Sequence, residues 1–420
     1  MSDNRPSNKT LAKAIAVFGG AQAFSVFAAL IRTKVAAHYI GAAGVGLNAF
    51  YVTLSNLIAV LMGFGLANSS VPSLSQAQGE EQLQAVGRLR LLGCVLALAS
   101  VPVTLLVTCF YSAQALWLAL PVALTILSGI EMAVMKSLRA TRQLSLSLMM
   151  SALFSVLFSV PFYVLMGFEG VIWALTSTMS MSSLFTCIMG YRVCRRSPDF
   201  ALWGKALWPQ VRPMFVLGLA FLISGLFAQG VDLVNQLWLQ SVATLAVVGL
   251  YKAGFQLAVV YTEMIFTAIA NDFYPRLASV AQDVVGRNRL ITQQVRVLLL
   301  IVTPLILLFV VLVPWLVPLL FSDEFLPIVP MVRIAALSVI VKAVYLPIGY
   351  LPVVLGRTWH FLWLEILSWS ILAVGVIAGY LSAGLTGVGY GILLSNVLDL
   401  LVIGLFCRYR YHFRFQPPAS

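Results

Sequence analysis

YTEMIFTAIANDFYPRLASVAQD, residues 261–283, has a counterpart in the first half of the chain. GFGLANSSVPSLSQAQGEEQ, residues 63–82, contains the same parts in the same order: the end of an apolar helix, a proline turn and a polar segment. The two stretches align without a gap at an offset of 203 residues. The identities at this offset pair Phe24 with Phe227, Leu30 with Leu233, Val45 with Val248, Gly46 with Gly249, Leu47 with Leu250, Ala67 with Ala270, Asn68 with Asn271, Pro72 with Pro275 and Leu74 with Leu277. We therefore interpret the chain as two copies of one unit, with its function at the seam between them.

The composition indicates a membrane protein. Of the 420 residues, 61% are hydrophobic and only 10% are charged, whereas soluble domains carry about 25% charged residues. Apolar runs recur at about 20 residues, the length of a helix that crosses a ~30 Å hydrocarbon layer. We predict an all-α polytopic membrane protein with about twelve transmembrane helices, at residues 11–37, 44–70, 87–110, 114–137, 144–166, 170–192, 211–240, 245–271, 291–320, 328–354, 359–380 and 385–407.

Lysine and arginine are distributed unevenly among the predicted loops. The net charge is +12, yet the loops at 38–43, 111–113, 167–169, 241–244, 321–327 and 381–384 contain neither residue. They hold His38, Glu169, Asp323 and Glu324 instead. Because short loops rich in Lys and Arg stay in the cytoplasm, we predict that these loops face outward and that both termini are cytoplasmic. The positive charge is therefore explained by orientation rather than by nucleic-acid binding.

The predicted helices divide into two halves. We predict an N-terminal six-helix lobe at residues 1–196, a cytoplasmic linker at 197–210 and a C-terminal six-helix lobe at 211–420. The stretch that contains the linker, residues 192–213, is basic and includes Trp203 and Trp208, which suit a membrane surface. Since an even number of helices per half starts both halves on the same side, we expect parallel repeats with a cavity between them.

Several short motifs resemble one family of transporters, and together they cover essentially the whole chain. They are GAAGVGLNAF (41–50), VPSLSQAQGE (71–80), GFEGV (167–171), YPRLASVAQD (274–283) and GLTGV (384–388). They look like the polysaccharide-transporter branch of the MOP exporter superfamily, and within it the Wzx-type O-antigen and lipid III flippases. The resemblance implies the MATE-like, V-shaped pair of six-helix lobes. Multidrug exporters of the superfamily share this architecture, so the fold alone does not identify the substrate.

The resemblance also implies a function. Its members move undecaprenyl-pyrophosphate-linked oligosaccharide, such as an O-antigen or enterobacterial-common-antigen repeat unit, from the cytoplasmic to the periplasmic leaflet of the bacterial inner membrane. Alternating access coupled to an ion gradient is the expected mechanism. The expected partners are the lipid-linked substrate and membrane lipids, with a polysaccharide polymerase and a chain-length regulator as candidate protein partners. We expect a monomer that binds no nucleic acid and needs no cofactor.

Charged residues inside the predicted helices are the candidates for function, because a charge at mid-bilayer costs on the order of 2.5–3.5 kcal/mol. Away from the predicted loops and the termini, we count five basic residues against five acidic ones: Arg32, Lys34, Lys252, Arg333 and Lys342 against Glu131, Asp232, Glu263, Glu365 and Asp399. Helical spacing groups several of them with neutral polar residues into stripes. The stripes are Gln229, Asp232, Gln236 and Gln240; Lys252, Gln256 and Glu263; and Asn48, Tyr51 and Ser55.

The stripes predict a binding site and a coupling site. Arg and Lys side chains suit a pyrophosphate, and an intramembrane carboxylate can carry a proton or bind Na⁺. We expect substrate binding by Arg32, Lys252, Arg333, Asn48, Gln256 and Gln236, and ion coupling by Asp232 and Glu263. The alternative for Lys252 is that it only neutralises Asp232 or Glu263. Whether the remaining charged residues face the cavity or a lobe interior stays open: Lys34, Lys342, Glu365, Asp399 and Glu131, the last one turn from Lys136.

Two other classes of function are compatible with parts of the sequence. A multidrug or organic-cation antiporter of the same superfamily is the main alternative, although a cationic substrate favours a net acidic interior. An integral-membrane glycosyltransferase or polymerase is less favoured because every predicted outer loop is short. No phosphate-binding GxxxxGK[ST] loop occurs in the sequence. The three histidines and five cysteines show no metal-ligand spacing, so we predict neither an enzyme nor a metal site.

Overall fold

The computed structural model of the chain describes residues 8–77, 79–109, 113–198, 208–260, 266, 273–274 and 276–416. The regular elements in these ranges are helices, without a strand. The first half contains α1 (Asn8–Tyr39), α2 (Gly41–Gly63), α3 (Leu66–Gln76), α4 (Gly79–Cys109), α5 (Ala119–Ser137), α6 (Thr141–Met166) and α7 (Gly170–Val193). The second half contains α8 (Trp208–Val242), α9 (Leu245–Phe255), α10 (Val284–Leu320), α11 (Ile328–Gly349), α12 (Leu351–Val354) and α13 (Thr358–Tyr411).

The predicted all-α polytopic fold is confirmed. Within the described ranges, eight helical stretches are long and apolar enough to cross a membrane. One of them, 141–193, includes both α6 and α7. Another is α13, which consists of two helices that meet at Ala383 and Gly384. Gly384 has φ +58°, a conformation that a residue with a Cβ avoids, and it turns the chain at the predicted outer loop.

The predicted helix at 44–70 is wrong in its extent. α2 begins earlier, at Gly41, and ends at Gly63 because Phe64 and Gly65 both adopt left-handed conformations, with φ of 51° and 66°. A separate short helix, α3, follows. Pro72, predicted to form the turn, lies inside α3 instead. The break therefore comes from the glycine seven residues before the proline.

Other helix ends also differ from the predicted ones. α4 begins at Gly79 rather than at 87, and α10 begins at Val284 rather than at 291. Both helices extend into polar sequence that an apolar pattern does not include. α9 is regular only to Phe255 and continues as a π-helical turn, Gln256–Val260. The remainder of the predicted helix at 245–271 lies outside the described residues, apart from Phe266.

The chain forms two compact units that do not coincide with the halves of the sequence. The first unit comprises residues 1–40 and 47–229, and the second comprises 41–46 and 230–420. α2 and α8 are therefore each shared, with 41–46 of α2 belonging to the second unit and the part of α8 up to Gln229 belonging to the first. The predicted lobe boundaries at 196 and 211 stay a prediction.

Each unit has its own packed interior. In the first unit, α4, α5 and α3 enclose Leu66, Leu74, Leu89, Ile130 and Val134, all of which are buried. In the second unit, α10 packs on α11 and α11 packs on α13. Between α10 and α11 lie the buried side chains of Leu298, Val302, Ile306, Ala336, Val339 and Ala343.

One side of α10 carries large apolar side chains that remain exposed. They are Leu300, Leu307, Leu308, Val311 and Trp315. α10 is 37 residues long, enough to cross the hydrocarbon layer and extend beyond it. Exposed apolar residues in such numbers are expected where a helix contacts lipid instead of water.

Candidate functional site

Asp232 and Lys252 form an ion pair in the second unit. The Nζ atom of Lys252 lies 2.8 Å from both carboxylate oxygens of Asp232. Asp232 is on α8 and Lys252 is on α9, so the pair joins two neighbouring helices. The side chain of Lys252 is 20% exposed and that of Asp232 is 24% exposed, so both remain partly accessible to solvent. The structure thus brings together the residue predicted for coupling and one predicted for substrate binding.

Two buried polar side chains lie next to this ion pair on α8. Gln236, one helical turn after Asp232, is completely buried, and Asn235 is nearly so. Asn235 hydrogen-bonds to Tyr251, the buried residue that precedes Lys252. The contact between Asn235 and Tyr251 thus joins α8 and α9 next to the ion pair.

The remaining predicted site residues are distributed over both units. Arg32 and Asn48 lie half-buried in the first unit, and Gln256 lies half-buried in the π-helical turn of the second. In the part of the chain that the structure describes, Arg32 has no ion-pair or hydrogen-bond partner; its electrostatic neighbour is Tyr163 on α6. Glu263 lies outside the described residues.

Arg333 has a backbone partner. Its Nε atom donates to the carbonyl of Val310 at 3.0 Å. Val310 precedes Pro314 by four residues in α10, and a proline has no N–H to give to that carbonyl. Arg333 therefore satisfies an acceptor that the proline leaves without its helical donor. The role of Arg333 in substrate binding stays a prediction.

A cavity inside the second unit is lined by three of the five charged residues whose orientation the sequence left open. It has a volume of about 360 Å³ and lies among α9, the π-helical turn, α11 and both arms of α13. Its charged lining residues are Lys342, Glu365 and Asp399. Its polar lining residues are Ser338, Tyr345, Tyr350, Ser368, Ser395 and Asn396.

Asp399 is the most buried charged group of this cavity. Its side chain hydrogen-bonds to Ser368 and lies in the electrostatic field of Lys342. Its Oδ1 atom is buried and has no hydrogen-bond partner among the described residues. Asn396, one turn earlier, accepts a hydrogen bond from Tyr345 at 2.8 Å. Two carboxylates against one ammonium leave a net negative charge, which a proton or a small cation can neutralise.

The structure gives Glu131 a partner that the sequence left open. Its partner is Arg90, which donates to both carboxylate oxygens at 2.7 and 2.6 Å, whereas Lys136 is exposed. Arg90 also donates to the carbonyls of Gly190, Cys194 and Arg196. Glu131 therefore faces the interior of the first unit.

Arg90 was missing from the predicted count of charges inside the membrane. It lies within the predicted helix at 87–110 but is not among the five basic residues of that count. The sequence does contain a signal for this pair, because a buried arginine requires a carboxylate partner and Glu131 lies on the next long helix. The residues around the cavity gave no comparable signal, because their three charges come from three helical segments.

Among curated proteins, none matches this chain. Solved structures do match its fold. An inward-facing multidrug resistance MATE family transporter of the MOP superfamily is 14% identical, with a TM-score of 0.75 over 92% of this chain and 94% of that one. The lipid II flippase MurJ, in an inward closed conformation, is 14% identical, with a TM-score of 0.71 over 94% of this chain and 87% of that one.

A MOP superfamily transporter from Pyrococcus furiosus also matches, at 14% identity and a TM-score of 0.66 over 95% of this chain and 96% of that one. These likenesses show that the chain has the MOP transporter fold. The structures themselves are described as transporters and a flippase.

The sequence itself gives the more specific result. Residues 37–330 match the family described as "Polysaccharide biosynthesis protein". The matched region includes α2 to α10, and with them both Asp232 and Lys252. Because the match extends over well more than half of the chain, this multi-pass membrane protein belongs to the polysaccharide biosynthesis protein family.

Proposed function

We propose that the protein is a flippase that moves undecaprenyl-pyrophosphate-linked oligosaccharide from the cytoplasmic to the periplasmic leaflet. One observation carries the proposal: a chain of the polysaccharide biosynthesis family has the fold of a transporter. A member of that family with this fold is suited to move a lipid-linked glycan rather than to synthesise it. The fold is shared with a lipid II flippase, whose substrate is likewise a lipid.

The finer parts of the proposal follow from the sequence. The protein lies in the bacterial inner membrane with both termini in the cytoplasm, since the predicted outer loops lack Lys and Arg. It works by alternating access as a monomer. Its substrate is an O-antigen or enterobacterial-common-antigen type unit, which reaches a polymerase and a chain-length regulator on the other side.

The ion pair suggests how a pyrophosphate is bound. Lys252 holds its charge close to Asp232, and both side chains remain partly accessible. A pyrophosphate carries more negative charge than one carboxylate and offers more acceptor oxygens. It can therefore compete with Asp232 for Lys252. The sequence adds Arg32 and Arg333 as predicted cationic ligands. Asp232, once displaced, is free to take up a proton or a cation, which links substrate binding to an ion gradient.

Two carboxylate sites are therefore available for coupling. The first is Asp232 with Glu263, as the sequence predicts. The second is the cavity with Asp399 and Glu365, where the adjoining π-helical turn interrupts α9. Local π-helical geometry is frequent at functional sites. Because Phe255 and Val259 line the cavity, a change in its charge acts directly on α9.

One observation favours a second candidate function, export of organic cations. The cavity carries two carboxylates against one lysine, and its lining includes the aromatic residues Phe255, Phe361 and Trp369. Aromatic rings and net negative charge suit an organic cation. A multidrug transporter also shares the fold. We place this function second because the family match concerns polysaccharide synthesis.

Depletion of the protein from its host should cause polyprenyl-linked oligosaccharide to accumulate on the cytoplasmic leaflet. Leaflet location is read by the accessibility of the glycan to an added glycosidase in inverted and right-side-out vesicles. Re-expression of the wild-type chain should restore the periplasmic pool. If the glycan stays evenly distributed while resistance to organic cations is lost, the second candidate is the correct one.

Lys252→Gln should lower flipping by roughly tenfold or more, since hydrogen bonds to charged groups are worth ~1.5–3 kcal/mol. It also leaves Asp232 unpaired, so the amount of folded protein should fall. Adding Asp232→Asn should restore the folded amount but not the flipping. Flipping is measured in vesicles at matched protein levels. A double variant that transports as well as wild type would give Lys252 a purely structural role.

A further inference from the structure

A turn between α10 and α11 holds the outer end of α2. This turn contains Asp323–Phe325, and its Phe325 is buried and stacked on Phe321 with 4.9 Å between the ring centroids. The stacking fixes the turn and presents the next side chain, Glu324. One carboxylate oxygen of Glu324 accepts the backbone N–H of Ala42 at 2.9 Å. The two residues are 282 positions apart and belong to the same compact unit.

The start of α2 explains why a distant carboxylate is needed. The first N–H groups of a helix lack intrahelical acceptors and attract negative charge. Ile40, the residue before α2, makes no side-chain hydrogen bond that caps the helix. Gly41 has φ +62°, and a Cβ there would lie 2.9 Å from the Glu324 carboxylate. The glycine thus gives Glu324 access to the N–H groups of α2.

A second contact holds the same segment of α2 against α9. A Cβ on Gly249 would lie 1.9 Å from the Ala42 carbonyl oxygen, and a Cβ on Gly46 would lie 2.3 Å from the Leu245 carbonyl oxygen. The two backbones are therefore in direct contact. After Gly46, α2 continues into the other compact unit as one unbroken helix. The contacts at 41–46 therefore determine the position of the outer end of α2, the helix that both compact units share.

The two contacts differ in how readily they can be broken. The glycine contact is a fit between backbones, which is lost only when the helices separate. Glu324 makes one hydrogen bond and its residue is exposed, so its carboxylate is rehydrated at little cost when that bond opens. A single accessible charge on a helix end is suited to repeated release and recapture.

We propose that Glu324 is a releasable latch for the outer end of α2. Its hydrogen bond to Ala42 holds residues 41–46 against α9 in one state and is broken in another. Glu324 thereby sets the fraction of molecules in which this outer contact is closed. The role of the latch in a transport cycle rests on the proposed alternating access. The contact and its release do not depend on the identity of the substrate.

The test measures exposure of the first turn of α9. Val248, the residue before Gly249, is almost fully buried. Val248→Cys is introduced where the five native cysteines have been replaced, and intact cells are treated with an impermeant maleimide. Glu324→Ala should raise the labelling rate severalfold. Glu324→Gln should have a smaller effect, because the amide keeps an acceptor oxygen while losing the charge.

Asp323→Asn is the matched control. Asp323 lies in the same turn, also bears an exposed carboxylate and makes no side-chain hydrogen bond or ion pair with the described residues of α2, so labelling should stay at the parent rate. Unchanged labelling in Glu324→Ala would overturn the latch, as would an equal increase in Asp323→Asn. Glu324→Asp, which shortens the side chain, serves if the alanine variant fails to fold and should also raise labelling. Increased labelling in a protein that moves no lipid-linked oligosaccharide would leave the latch standing and reject the proposed function.

Discussion

Replacing Gly249 by alanine should markedly destabilise the folded protein in the state in which α2 contacts α9. The added Cβ would lie 1.9 Å from the Ala42 carbonyl oxygen and 2.8 Å from the Gly46 nitrogen, far closer than carbon contacts allow. Both neighbours are backbone atoms of α2, so no side-chain rotation relieves the clash. Overpacking costs typically 1–3 kcal/mol even where side chains can adjust, and we expect at least ~2 kcal/mol here. The measurement is the yield and thermal unfolding of purified protein in detergent.

Gly404→Ala is the control for this change. Gly404 also lies in a helix of the second unit, and an added Cβ meets no atom within 4 Å. Helix propensity alone favours alanine over glycine by up to ~1 kcal/mol, so this variant should be as stable as wild type or slightly more stable. Equal stability of the two alanine variants would contradict the close approach of α2 and α9. Gly46→Ala should behave like Gly249→Ala, since its Cβ meets the Leu245 carbonyl at 2.3 Å.

Breaking the buried ion pair between Arg90 and Glu131 should have the second large effect. The two side chains are 5% and 10% exposed, so removing one charge leaves the other buried. Removing one partner of such a pair costs about 3–5 kcal/mol. Arg90→Met should be worse than Glu131→Gln, because Arg90 also donates to the carbonyls of Gly190, Cys194 and Arg196.

A double-mutant cycle separates the ion pair from the other contacts of Arg90. Arg90→Met combined with Glu131→Leu should be less destabilised than the sum of the Arg90→Met and Glu131→Leu single changes, since no buried charge remains. Lys136→Met, at an exposed position one turn from Glu131, should change the free energy of unfolding by less than ~0.5 kcal/mol. Thermal unfolding of the four variants in detergent provides the comparison. Additive effects would show that Arg90 and Glu131 do not act as a pair.

The internal repeat shows what the sequence predicts about the structure and what it does not. Its constant offset pairs Gly46 with Gly249, and the structure packs these two glycines against each other at the crossing of α2 and α9. The alignment says that the residues are equivalent. It does not say that they touch, because equivalence and contact are separate properties of a repeat.

The sequence by itself determined the class of protein. An apolar run of membrane length and the exclusion of Lys and Arg from particular loops are local features, so they can be read directly from the chain. Helical spacing likewise placed Asp232 and Lys252 on polar stripes of neighbouring helices. Most helix ends and the break at Phe64 and Gly65 were harder to predict from the sequence, because they depend on caps and backbone conformations rather than on hydrophobicity.

Only the tertiary structure decided which charges meet. Glu131 forms an ion pair with Arg90, and Arg333 donates to a carbonyl that Pro314 leaves without its helical donor. Glu324 accepts a hydrogen bond from the start of α2. Lys342, Glu365 and Asp399 share a cavity. In a soluble helix, the apolar face shows which side is buried. A membrane helix is apolar towards lipid and towards its neighbours alike, so its sequence leaves its rotation undetermined and packing decides where each charge points.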